Sequence, residues 1–167
     1  MKFLTTVALA LLLLTLESVV VKLAGLALIR IDVTVVLVAF LALRAGVVEG
    51  SFSAFAVGYL LDMMSGQPTG LYTFLAVLTF LVGKLVSSFV DVRTAMGFAL
   101  FAMGADAGHG LLAAFFTWLT VKEGATVALL PGLPLQVALT GAAALGLYRV
   151  LRRLESRQDR PQAGLLR

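Results

Sequence analysis

Residues 125–148 contain no charged side chain, and residues 70–90 contain one, Lys84. Runs of this length without charge are what a bilayer demands, since a span needs about 20 apolar residues to cross roughly 30 Å of hydrocarbon. Similar runs cover about 3–21, 46–64 and 94–119. The chain is 60% hydrophobic and 13% charged, with mean hydropathy +1.04. A soluble domain is nearer about 45–50% apolar and 25% charged. A chain of 167 residues has too little interior to hide this much apolar surface from water, so its expected solvent is lipid.

The second run is the awkward one. Only Val33–Leu43 separates Asp32 from Arg44, and the preceding LAGLALIR is apolar enough to be an interfacial or re-entrant piece over 23–32. The sixth run, about 125–148, has Pro131 and Pro134 near its start, where a missing N–H costs little. The N-terminal MKFLTTVALALLLLTLESVVVK mimics a signal peptide but lacks a clear small-x-small cleavage site, and reads as an uncleaved first span. The expected fold is an all-α integral membrane protein: a compact bundle of six transmembrane helices, about 3–21, 31–44, 46–64, 70–90, 94–119 and 125–148, or five if the second fails to cross. Residues 1–150 form the bundle and 151–167 a basic tail.

Orientation follows from Lys and Arg, which favour the cytoplasmic side. With six spans both termini share a side. Lys2, Arg44, Arg93 and six arginines of the C-terminal end (Arg149, Arg152, Arg153, Arg157, Arg160, Arg167) fall there, against Lys22, Arg30 and Lys122 opposite. Both termini are therefore expected in the cytoplasm, the tail facing anionic lipid rather than nucleic acid. Lys84 can snorkel to the same side.

Few residues carry chemistry. The chain has no cysteine, which excludes disulfides, thiol catalysis and Cys-ligated metal. It has no Walker loop, HExxH or GxSxG. Glu49 and Asp62 flank the third span in VEGSFSAFAVGYLLDMMSGQPTG. They are 13 residues apart, about 19 Å of helix, so at least one is expected below the headgroups or in a thinned region; the first reading is that both mark span boundaries, ahead of an internal polar pair turned toward the bundle and of ion or substrate binding. Gly46 and Gly50 stand in GxxxG spacing with Gly58 following, a helix-packing signature in lipid. Pro68 and the glycines Gly66 and Gly70 read as a turn. Asp106 and His109, three apart in MGADAGHG, share a helix face. They are able to relay a proton or to hold a metal with ligands from elsewhere; the plainer reading is a polar pair that faces the bundle or grips a neighbouring helix. Gly104 and Gly108 repeat the GxxxG spacing. Trp118 fits an interface anchor. Phe52, Phe55, Tyr59, Tyr72 and Phe74 read as lipid-facing or packing residues rather than a cofactor box.

The stretch 31–85, IDVTVVLVAFLALRAGVVEGSFSAFAVGYLLDMMSGQPTGLYTFLAVLTFLVGKL, resembles the bacterial rod-shape-determining MreD family. Asp32, Arg44, Glu49-Gly50, Gly58, Asp62, Ser65-Gly66 and Gly70 stand where that family has an Asp before an apolar run, a basic residue, a Glu-Gly, a Gly-Leu-Leu-x-Asp-type element, a Ser-Gly and a Gly before the next span. Ile31 replaces the usual Pro, and Thr69 the usual Leu. The C-terminal LLPGLPLQVALTGAAALGLYRVLRRL is similar to the family's last span and basic end. The resemblance implies a non-enzymatic subunit of the cell-elongation complex in the bacterial inner membrane. It also implies MreC as partner, with MreB, RodA and a class B penicillin-binding protein as further partners, no cofactor, and a fold similar to the substrate-binding subunits of energy-coupling-factor transporters. Partner-binding or helix-packing candidates are Gly46, Glu49, Gly50, Gly58, Asp62, Gly66, Gly70, Asp106 and His109. The rival reading is a substrate-binding subunit of a small-molecule transporter. A membrane enzyme acting on a lipid-linked substrate would need more clustered acids and bases than the chain supplies.

Overall fold

The computed structural model describes residues 3–24, 32–65, 70–120 and 132–159. Among these residues the chain is all-helical, with six helices: α1 (Phe3–Ala24), α2 (Val33–Arg44), α3 (Val47–Ser65), α4 (Leu71–Ser87), α5 (Ala95–Thr120) and α6 (Leu133–Asp159). Three stretches, Val47–Met64, Ala95–Phe116 and Leu133–Leu154, are long and apolar enough to cross a membrane, while Phe3–Val19, Val33–Arg44 and Leu71–Ser87 are shorter apolar helices. The expected interfacial piece lies largely outside the described residues, as do Gly66 and Pro68 of the turn and the expected start of the sixth span at 125.

The second run, shorter than a full span, forms the centre of the bundle. Every residue from Thr34 to Ala42 is buried, and α2 packs against all five other described helices. An apolar side chain at nearly every position leaves no polar stripe to face outward, so the helix is stable only when surrounded. Asp32 starts it: its Oδ1 accepts the Val35 N–H at 3.0 Å, satisfying one of the orphan donors of a helix N-terminus. Around α2, the α3–α4 and α5–α6 pairs form the two most extensive helix contacts.

Phe98 of α5 joins three helices. It meets Phe40 of α2 edge-on, centroids 5.9 Å apart, and stacks on Tyr148 of α6 at 5.3 Å. The Tyr148 hydroxyl donates to the Arg93 carbonyl at 3.1 Å, and the Arg152 guanidinium lies 5.8 Å from the ring centre. Lys84 Nζ donates to the Ala45 carbonyl at 2.7 Å, next to Arg44. Arg44, Lys84, Arg93 and Arg152 therefore gather at one end of the bundle. α6 continues past the expected bundle limit at 150 to Asp159, and Leu151 is a core residue. Arginines at 149, 152 and 153 are good helix formers, and they end the hydropathy of the segment without ending its backbone hydrogen bonding.

The outer surface is apolar. Leu4, Val48, Phe52 and Phe89 are 79%, 71%, 66% and 82% exposed. Among the polar residues, Thr6, Ser53, Asp106 and Thr140 are fully buried.

Candidate functional site

The α3–α4 hairpin is locked by residues singled out from sequence. Asp62, near the end of α3, is 6% exposed. Its Oδ1 accepts the Tyr72 N–H at 3.2 Å, and its Oδ2 accepts the Thr73 N–H at 2.9 Å and the Thr73 hydroxyl. The two N–H groups belong to the first turn of α4, whose own N-cap is Gly70 in the left-handed region at φ 66°, with no side-chain cap. A glycine is the residue that reaches this φ without strain, but it brings no capping oxygen. Asp62 supplies one across the hairpin. The carboxylate thus binds the positive end of the α4 dipole.

The glycines divide sharply. A β-carbon on Gly58 would lie 2.6 Å from the Thr73 Cα and 2.8 Å from the Tyr72 carbonyl oxygen, and one on Gly50 would strike the Phe80 ring. Both let α4 close on α3. Gly46, the expected GxxxG partner of Gly50, has nothing within 4 Å among the described residues. Glu49 is exposed on the first turn of α3, where a negative charge favours the helix N-terminus. Of the aromatics, Phe52, Phe55, Tyr59 and Phe74 face outward, each at least half exposed.

A second feature is a buried polar layer at mid-bundle. Asp106 stands 11 residues into α5, about 17 Å along a helix of roughly 39 Å. Asp106 and His109 both face the interior, but each grips a different helix. Gln136 of α6 donates through Nε2 to Asp106 Oδ1 at 3.0 Å. His109 Nδ1 lies 3.0 Å from the Thr79 hydroxyl of α4, and its Nε2 is 4.0 Å from Asp32 Oδ2. Thr140 accepts the Asp32 N–H at 3.2 Å. Thr79, Gln136 and Thr140 escaped the sequence reading, although Gln136 and Thr140 are visible in retrospect: they are four apart, hence on one helix face, in a run with no charge. Among the described residues no three His, Asp or Glu side chains converge in a way that could hold a metal ion.

The third feature is a groove of about 520 Å³ between α4 and α5. Val82 and Val86 form one wall, Leu100 and Phe101 the other, and Gly104 and Gly108 lie along it; His109 and Thr79 mark its polar inner part. A β-carbon on Gly104 or Gly108 would meet nothing within 4 Å, in contrast to Gly110 and Gly141, where it would strike Leu133 or Met103 of the facing helix. The second GxxxG face is therefore not used in packing among the described residues.

Comparison with protein-family models, curated proteins and solved structures finds no match for the chain.

Proposed function

We propose that this chain is a multi-pass membrane subunit of the MreD type: a non-enzymatic scaffold in the bacterial inner membrane, termini in the cytoplasm, that binds the transmembrane helix of a single-pass partner such as MreC and helps position wall synthesis. The observation that carries the reading is the open α4–α5 groove, with an unfilled Gly104–Gly108 face. Small residues let helix backbones approach closely in lipid, where apolar surface alone gives helices no reason to associate. The inverted polarity of the bundle, greasy outside and polar at mid-depth, supports lipid as its solvent, and the clustering of basic residues at one end supports the orientation. The motif resemblance over 31–85 supplies the biological setting.

The groove's volume of about 520 Å³ also falls within the range of small-molecule sites, which favours the transporter subunit as the second reading. Co-purification of the tagged chain from native membranes separates the two. The scaffold reading expects a single-pass coiled-coil protein in the eluate. Recovery of an ATPase pair with a coupling subunit sinks it.

A further inference from the structure

At the basic end of the bundle, one tyrosine holds arginines from two distant parts of the chain. Tyr148 of α6 is buried, and its ring is stacked on Phe98 of α5. Its hydroxyl donates to the carbonyl of Arg93, in the α4–α5 connection. The guanidinium of Arg152, one turn further along α6, lies 5.8 Å from its ring centre. The Arg93 side chain is 84% exposed and pairs through Nη2 with Asp91 at 2.6 Å. A guanidinium carries five N–H groups, so that contact leaves donors on it for a second acceptor. Residues 149–153, RVLRR, add two more arginines and no acid, and all three arginines of this run are exposed.

The neighbours of these arginines are apolar and open. Phe89 and Val90 precede Arg93, Met96 follows it, and Leu145 shares a face of α6 with Arg152; all four are exposed. Positive charge bordered by large exposed apolar side chains suits a molecule with a negative head and an apolar body. A soluble anion would leave those side chains bare. Guanidinium is also the cation whose fork of donors matches phosphate oxygens. We propose that Arg93 and Arg152, held at Tyr148, bind the headgroup phosphate of one anionic phospholipid, whose acyl chains cover the apolar residues beside them. This is one defined site, beyond the general attraction of a basic tail for an anionic leaflet, and a bound lipid joins the α4–α5 connection to α6. It rests on lipid as the solvent of the bundle and not on the scaffold reading.

The test titrates the purified full chain, in neutral detergent at about 0.15 M salt, with phosphatidylglycerol, phosphatidylcholine or glycerol 1-phosphate. The last carries the phosphate without acyl chains. Native mass spectrometry counts bound lipid, and thermal unfolding reads its effect. The expected result is saturable retention of one phosphatidylglycerol and a midpoint about 5 °C higher, with neither effect from the other two. Arg93→Gln and Arg152→Gln should each weaken binding about five- to tenfold. Arg44→Gln removes the same charge from the same end of the bundle, away from Tyr148, and should weaken it less than about twofold. Should a site variant fail to fold, Asp91→Asn serves: it removes the acid that competes for Arg93 and is expected to tighten lipid binding. Equal losses in all three arginine variants overturn the proposal, since a general field of positive charge then suffices. Equal binding of phosphatidylcholine or of glycerol 1-phosphate overturns it too, as does unchanged affinity in Asp91→Asn.

Discussion

Asp62→Ala tests how the α3–α4 hairpin is held. The substitution removes a helix cap, a loss of about 0.5–2 kcal/mol, and strands the donors that Asp62 now satisfies. Their costs differ. Tyr72 is half-buried, so water reaches its N–H; the Thr73 hydroxyl can rotate toward another acceptor. The Thr73 N–H is fixed by the helix and its residue is buried, and a buried unsatisfied donor costs about 1–3 kcal/mol. The expected loss is about 2–4 kcal/mol in all, about half of it recovered in Asp62→Asn, which keeps one acceptor oxygen. Reversible unfolding in mixed detergent measures the loss. Hydrogen exchange locates it: the amides of Tyr72 and Thr73 should exchange markedly faster in Asp62→Ala, while those in the middle of α5 stay protected. Unchanged exchange at Tyr72 and Thr73, or a loss below about 0.5 kcal/mol, would refute the capping role and return Asp62 to a marker of the span boundary.

Three further outcomes follow from the same contacts. Gly58→Ala places a methyl against the α4 backbone, which cannot rotate away, and should cost about 1–3 kcal/mol in the same unfolding assay. Gly104→Ala, by contrast, meets open space and should leave stability equal or up to about 1 kcal/mol higher, while Gly104→Leu should fold normally yet lose the co-purifying partner. Lys84→Met removes the donor to the Ala45 carbonyl and should cost about 1–2 kcal/mol, read as earlier unfolding and faster exchange around residues 41–46.

The helices were legible because charge-free runs are long and their breaks sharp. Hydropathy, however, reports solvent preference, not where backbone hydrogen bonding stops, which is why α6 passes through Arg149, Arg152 and Arg153 without a break. The shortness of α2 was visible; its place at the centre depends on five neighbours burying it. Glycine spacing was a poor guide to glycine use. Gly46 and Gly50 obey the same motif as Gly104 and Gly108, yet among the described residues only Gly50 of the four meets a neighbouring helix, because spacing fixes a shared face and not what lies opposite. For Asp62 the sequence offers a boundary marker or an inward-turned, paired carboxylate, without naming the partner. The donors found are peptide N–H groups ten and eleven residues on, a tertiary cap that no local motif encodes. Likewise Asp106 and His109 share a face, as their spacing requires, while each is bonded to a different helix.

The absence of cysteine from the chain makes a single introduced one a clean probe of the central claim. Gly104→Cys places a thiol in the α4–α5 groove without disturbing the fold. Oxidative cross-linking in native cells, against a library of single cysteines along the transmembrane helix of a candidate partner, reads the contact directly. The scaffold account predicts disulfides recurring every three to four residues along one face of a single-pass partner helix, and none from a control cysteine at Phe52 on the outer face of α3. Cross-linking equally strong from both positions, or from neither, contradicts it.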